Sequence, residues 1–225
     1  MRFRLAMVLL LSALASGEAQ TIGFNNTPVG GFPEGWDAYM THSGGAPRWQ
    51  VIQDAATPGE PRALAQLSDD ATRSRFPLAI FRGASIQNGT ISVSFKAVSG
   101  KIDQGAGLVW RFVDADNYYI VRANALEDNV VLYKVEKGTR TALAPKGTPP
   151  GTYGISHKVA PQEWNRLSVS FHGDSFTVNF NGEKLFEVED GTYSGEGKTG
   201  LWTKADSVIY FRDFEIKNDG ASSGH

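Results

Sequence analysis

Five residues could act together on one ligand. In the segment Asn117 to Asn124, reading NYYIVRAN, alternate positions place Tyr118, Arg122 and Asn124 on one face of a strand. Further along, Trp202 and Lys204 share a face two positions apart. A sugar presents an apolar C–H face and a ring of hydroxyls. An aromatic plane suits the first, and fixed arginine, lysine or amide groups suit the second. Tyr118, Arg122, Asn124, Trp202 and Lys204 are therefore the candidate ligand-binding residues. Each has a plainer reading. Aromatics in a sandwich mostly fill its core, and a polar strand residue can sit on an outer or edge face. Arg111 follows Trp110 directly, so on a regular strand the two point to opposite faces and cannot serve one site.

Other chemistries have less to draw on. The chain has no cysteine, which excludes disulfides, thiolate zinc sites, iron–sulfur clusters and a cysteine nucleophile. His42, His157, His172 and His225 are scattered, with no H-x-x-x-H spacing for zinc; His157, just after a long loop, is placed to line a rim. There is no G-x-S-x-G nucleophile turn. Glu187 and Glu189 share a face but precede Gly191 at a strand end, and read as solvated. Asp213 stands between Phe211 and Phe214 in an apolar strand, where a carboxylate must face water, a cation or a metal. Its neighbour Arg212 points the other way on a regular strand. With 22 basic and 24 acidic residues, the chain gives no electrostatic case for nucleic acid.

The elements that position these residues read as strands throughout. Period-two alternation recurs at 91–97, 167–171 and 176–180, and Asn181-Gly182 is a type I′ hairpin turn. Residues 164–189 form a three-stranded meander. Further strands are expected at 48–53, 62–67, 78–82, 105–113, 117–124, 129–135, 198–203 and 208–216. The stretch 144–162, rich in Pro and Gly, reads as a surface loop placed to cover a site. A dozen short strands without a helical period predict an all-β sandwich in one domain, residues 20–217. Residues 218–225 read as a flexible tail. Before the domain, Arg2 and Arg4, the apolar run Leu5 to Leu14 and the small residues up to Ala19 have the layout of a secretory signal peptide. That run is too short to span a bilayer. Cleavage after Ala19 predicts a secreted or periplasmic mature chain with no membrane span.

Three blocks then carry a resemblance. They are Gly105-Ala106-Gly107-Leu108-Val109-Trp110-Arg111-Phe112 with the following DADNYY turn and VRAN strand, Glu163-Trp164-Asn165-Arg166-Leu167 with the Asn181-Gly182 hairpin, and Gly200-Leu201-Trp202-Thr203-Lys204 with Tyr210 to Phe214. Together they resemble the concanavalin A-like lectin/glucanase superfamily over residues 24–217. Within it they are most similar to laminin-G-like domains and the bacterial 3-keto-disaccharide hydrolase-like family. The resemblance implies a jelly-roll sandwich of two curved antiparallel sheets whose concave sheet carries a carbohydrate site. It also implies a calcium ion between the first and last strands, for which Asn25 and Asp213 are the candidate ligands. The glucanase pattern E-x-D-x-x-E has no counterpart at Glu187-Val188-Glu189-Asp190. The Asn-Ser-Gly strand and Glu-x-Gln block of the hydrolase-like family are replaced here by Gly105-Ala106-Gly107 and Arg122-Ala123-Asn124. The expected function is therefore glycan binding. A hydrolase or lyase acting on 3-keto-glycosides is the alternative, and an envelope-interaction domain a third.

Overall fold

The computed structural model describes residues 17–54 and 62–220. All regular elements among them are β-strands. In chain order these are β1 (Gln20–Ile22), β2 (Trp36–Thr41), β3 (Trp49–Gln53), β4 (Arg62–Gln66), β5 (Phe76–Ile86), β6 (Gly89–Ser99), β7 (Gly105–Asp114) and β8 (Asn117–Asn124). They continue as β9 (Asn129–Glu136), β10 (Thr139–Ala142), β11 (Ile155–Ser156), β12 (Trp164–His172), β13 (Ser175–Phe180), β14 (Glu183–Glu189), β15 (Gly197–Thr203) and β16 (Val208–Asn218). Two antiparallel eight-stranded sheets result. A back sheet runs β14-β13-β12-β6-β16-β4-β3, with β1 added on β16. A front sheet runs β10-β9-β8-β7-β15-β5-β2, with β11 added on β9. This is the expected jelly-roll sandwich.

The alternation that predicts the strands also builds the core. Val93 and Phe95 of β6, Val169 and Phe171 of β12, and Phe176 and Val178 of β13 meet Leu108 and Trp110 of β7 and Tyr119 and Val121 of β8 between the sheets. Trp110 stacks on Tyr119 and on Phe171, with ring centroids 5.4 and 5.9 Å away. The meander β12-β13-β14 turns at Asn181 (φ 48°) and Gly182 (φ 88°), both left-handed as a type I′ turn requires. The short strands β1, β2, β10 and β11 were not anticipated. β10, reading TRTA, has no apolar alternation to reveal it, and β11 has two residues.

The front sheet has a second apolar layer on the face turned away from the core. Leu78, Ile80, Val109, Tyr118, Ile120, Val131 and Trp202 are all fully buried there. No further strand or helix among the described residues covers them, so the sheet curls over itself. Arg140 on β10 and Phe76 on β5 are five strand spacings apart, about 24 Å in a flat sheet. Yet the Arg140 guanidinium lies 4.8 Å from the Phe76 ring centre. Tyr118 of β8 reaches Thr41 of β2, four spacings away, with a 2.7 Å hydrogen bond between hydroxyls. The front sheet is therefore the concave one.

Two strand irregularities overturn sequence expectations. Arg111 is left-handed (φ 48°) at a register shift between β7 and β8, and Asp213 is left-handed (φ 51°) at a shift between β16 and β6. A bulge inserts one residue and interrupts the alternation. Arg111 therefore stays on the core side with Trp110, its guanidinium 5.9 and 5.6 Å from the rings of Phe171 and Phe176. Asp213 lies 3.4 Å from Arg212 Nε, a pairing that a regular strand forbids. The last strand also runs one residue past the expected end of the domain at 217. β16 continues through Asn218, and the Asp219 N–H donates to the Asn88 carbonyl. The signal-peptide segment, apart from residues 17–19, lies outside the described residues, as do His225 and residues 221–224. β1 starts at Gln20, directly after the expected cleavage point. Among the described residues no helix is long and apolar enough to cross a membrane.

Candidate functional site

The site is built on the concave face of the front sheet, where β7, β8, β9 and β15 lie side by side. On this face β7 contributes Gly105 and Gly107, which have no side chains. A Cβ on Gly105 would come within 2.7 Å of Asp103 Oδ1, and one on Gly107 within 2.7 Å of Ile120 Cδ1. The G-x-G spacing thus clears a floor, and Arg122 and Asn124 of β8 occupy part of it.

Arg122 is the centre of the polar cluster. Its side chain is fully buried, and Nη2 donates to Glu127 Oε2 and Asn129 Oδ1, both at 2.8 Å. Nη1 stands 4.0 Å from Asp103 Oδ2. Asn124 Nδ2 donates to Asp103 Oδ1 at 3.1 Å, and Lys204 Nζ donates to Asp103 Oδ2 at 2.6 Å. Three of the five predicted residues therefore converge on one carboxylate that sequence reasoning missed. Nε and Nη1 of Arg122 are buried and have no hydrogen-bond partner.

Asp103 is held by its loop. Asp206, just after β15, accepts the backbone N–H groups of Lys101, Ile102 and Asp103 at 2.7 to 3.0 Å. Burial pushes the Asp206 carboxyl up, but these backbone donors outweigh it and hold the group below the usual carboxylate range. Between Lys204 and Asp206, Ala205 is left-handed (φ 49°). Its carbonyl accepts Arg75 Nη1 at 2.9 Å, and its N–H donates to the Arg75 carbonyl at 2.9 Å. A buried arginine thus fixes the turn that aims Lys204 at Asp103.

Tyr133 of β9 and the long loop complete the rim. The hydroxyls of Tyr133 and Tyr153 are 2.5 Å apart, and Tyr153 is 49% exposed. The stretch 144–162 therefore does reach the site. It is tied to both sheets, through β11 on β9 and through the Lys146 N–H bonded to the Glu187 carbonyl of β14. Arg140 of β10 lies over the rings of Tyr133, Phe76 and Trp202, 4.4, 4.8 and 5.6 Å from their centres. Burial pushes the Tyr133 phenol well up, so it stays protonated. Burial also tends to raise Glu127, but Arg122 beside it and the Asn129 hydrogen bond bring its carboxyl below the ordinary value. Glu127 is thus an ionised acceptor at the rim, with a side chain 41% exposed.

Tyr118 and Trp202 require a correction. Both point to the concave face, as the alternation predicts, but both are fully buried. The curl of the sheet closes over them, and they serve as packing beneath the site instead of a stacking surface. Arg122 and Asn124 lie on the same face, also buried; of the five, Lys204 is the one that reaches solvent, with 17% of its side chain exposed. The exposed aromatic at the rim is Tyr153, on a loop where no periodicity marks it. Glu127 was open to detection: a buried arginine in an apolar strand calls for a carboxylate, and Glu127 stands in the turn that follows the strand.

The two candidate calcium ligands lie on different segments, Asn25 after β1 and Asp213 within β16. Asp213 is beside Arg212, Asn25 is exposed, and no group of three or more His, Asp or Glu among the described residues could hold a metal ion. Glu187 and Glu189 pair with Lys184 and Lys146 at the surface, as solvated carboxylates do. His157 packs edge-on to Phe180, 5.0 Å between ring centres.

Comparisons with known proteins give a family and a fold. Among solved structures, a carbohydrate-binding module of type 66 from Bacillus subtilis superposes with a TM-score of 0.59 at 19% identity, covering 82% of this chain and 96% of that one. A protein of unknown function from Shewanella oneidensis MR-1 superposes with a TM-score of 0.53 at 11% identity, covering 95% of this chain and 92% of that one. At such identities the likeness is one of fold. Among curated protein sequences none matches the chain. The sequence pattern of one domain family matches residues 24–217, which spans both sheets and the whole Arg122 cluster. The chain belongs to the 3-keto-alpha-glucoside-1,2-lyase-like domain family.

Proposed function

We propose that this chain is an exported glycan-binding domain that holds a sugar at the open end of the front-sheet curl. The observation that carries the reading is the convergence of Arg122, Asn124 and Lys204 on Asp103 beneath the exposed Tyr153 ring, with Arg122 Nε and Nη1 making no hydrogen bond. Tyr153 offers a face to the C–H groups of a sugar ring. Lys204 and Arg140 donate to hydroxyls, and the ionised Glu127 accepts from them. Family membership and the fold shared with a carbohydrate-binding module support the sugar class. Convergent polar groups on the concave face count against a purely structural role. Affinity electrophoresis through a panel of neutral and charged polysaccharides tests the reading. Retardation by at least one polysaccharide is expected, weakened up to about tenfold in Tyr153→Ala, the loss expected for one aromatic contact. Free migration in every polysaccharide overturns it.

Glu127 favours a second reading, a lyase acting on 3-keto-glucosides. The ketone acidifies the C2 proton. A carboxylate held ionised takes that proton, the electron pair forms the C1–C2 double bond, and the C1–O bond breaks with protonation of the departing alcohol. Arg122, Arg140 and Lys204 would stabilise the enolate oxygen. Incubation with 3-keto-trehalose decides: an unsaturated keto sugar that appears with wild type and not with Glu127→Gln supports this reading, and an unchanged substrate removes it.

A further inference from the structure

Beside the Arg122 cluster lies a depression of about 530 Å3, lined in part by His42, Arg73, Phe76, Arg140 and Lys204. That volume is within the range of about 300–1,000 Å3 for small-ligand sites. Three cations and a histidine line it, and Asp116 Oδ1 comes as close to the Gly138 Cβ position as His42 Nε2 does. The chain as a whole is slightly acidic, so this is a local concentration of positive charge.

The charges differ in how far they are already neutralised. Lys204 is paired with Asp103. Arg73 is exposed, and no ion pair engages it among the described residues. Arg140 has no carboxylate within ion-pair distance among the described residues; its guanidinium rests on three aromatic rings, and Nη1 is buried without a hydrogen-bond partner. His42 donates Nδ1–H to the Ser74 carbonyl at 2.7 Å, which leaves Nε2 on the Gly138 side of the depression. A buried polar atom without a partner is costly unless a ligand satisfies it. A planar guanidinium held by ring faces presents its N–H edge to a carboxylate or sulfate, the groups it binds most strongly.

We propose that the depression takes the anionic substituent of an acidic carbohydrate, with Arg140 as the principal contact and Arg73 at the mouth. This rests on the glycan-binding reading and narrows it to sugars bearing a carboxylate or a sulfate ester. The shared chemistry is a compact oxyanion attached to a pyranose whose C–H face meets Tyr153.

Isothermal titration calorimetry on the mature chain tests the proposal with four probes. These are a galacturonate oligosaccharide, a sulfated galactan oligosaccharide of the same length, a neutral galactan oligosaccharide of that length, and inorganic sulfate. At least one anionic oligosaccharide is expected to bind about tenfold or more tightly than the neutral one. That advantage shrinks as added salt shortens the Debye length from about 30 Å to about 3 Å. Arg73→Gln should remove most of the advantage while leaving neutral binding within about twofold, whereas Arg140→Gln should weaken both kinds of oligosaccharide and the acidic ones more. Arg73 is exposed, so its variant keeps the test valid if Arg140→Gln fails to fold. Which of the two acidic oligosaccharides wins separates carboxylate from sulfate. Equal binding of neutral and acidic oligosaccharides overturns this inference and leaves the glycan-binding reading standing. Inorganic sulfate binding as tightly as the oligosaccharides also overturns it, since the sugar would then contribute nothing. Binding of no probe overturns this inference, and the polysaccharide panel decides the glycan-binding reading separately.

Discussion

At the scale of single residues, Asp206 controls the site without facing it. Its carboxylate gathers three consecutive backbone N–H groups and so fixes Asp103, which in turn receives Asn124 and Lys204. Those donors bind the ionised form, so the folded-state pKa lies below the unfolded value. A depressed carboxyl stabilises the fold above its unfolded pKa of about 3.9 and loses that contribution as pH falls through the lower folded value. Asp206→Asn should cost on the order of 2 kcal/mol at neutral pH, as hydrogen bonds to a charged group are lost. Urea titrations from about pH 7 down to about pH 2 should show the gap between wild type and variant closing at the acid end. A gap that stays constant with pH would contradict this role. Arg122 and Asn124 were legible as odd polar residues in an apolar strand. Asp103 and Asp206 were not, because both sit in turns where acidic residues are commonplace.

At the scale of elements, the bulges redirect side chains that alternation misplaces. Arg111, left-handed in β7, places its guanidinium at the end of the core, where it donates to the carbonyls of Gln87, Gly173 and Tyr193. It thereby ties three loops to one strand. Arg111→Met should destabilise the domain by about 3 kcal/mol, since it strands buried carbonyls that have lost their donor. A drop in the urea midpoint at unchanged m-value would register that loss. A midpoint within error of wild type would show that water replaces the guanidinium. One bulge left a trace in the sequence. Core residues Ile209, Phe211, Phe214 and Ile216 switch from odd to even positions, and the extra residue falls at Arg212-Asp213. The β7 bulge left no such trace, because Trp110, Arg111 and Phe112 read equally well as uninterrupted alternation.

At the scale of the whole molecule, the curl of the front sheet decides where a ligand can go. The Thr41 hydroxyl gives its one proton to the Ala115 carbonyl at 2.6 Å, so Tyr118 must be the donor in the 2.7 Å bond between them. That bond joins β8 to the β2 edge across the concave face. Tyr118→Phe should cost about 1 kcal/mol. It should also speed amide hydrogen exchange in β2 and in the turn after β7 more than in β12 or β13. Uniform exchange would mean that apolar packing alone sustains the curl. By itself the sequence determined the strand pattern, the sandwich and the face on which Tyr118, Arg122, Asn124, Trp202 and Lys204 lie, because a period of two is a local property of the chain. Tertiary structure alone decided which of them remain accessible. The curl brings Arg140 over Trp202 and Phe76, buries Tyr118 and Trp202, and carries Asp103, Glu127 and Tyr153 from three separate loops to Arg122. Side chains brought together across five strands and three loops have no fixed spacing in the sequence, so no periodicity could reveal them.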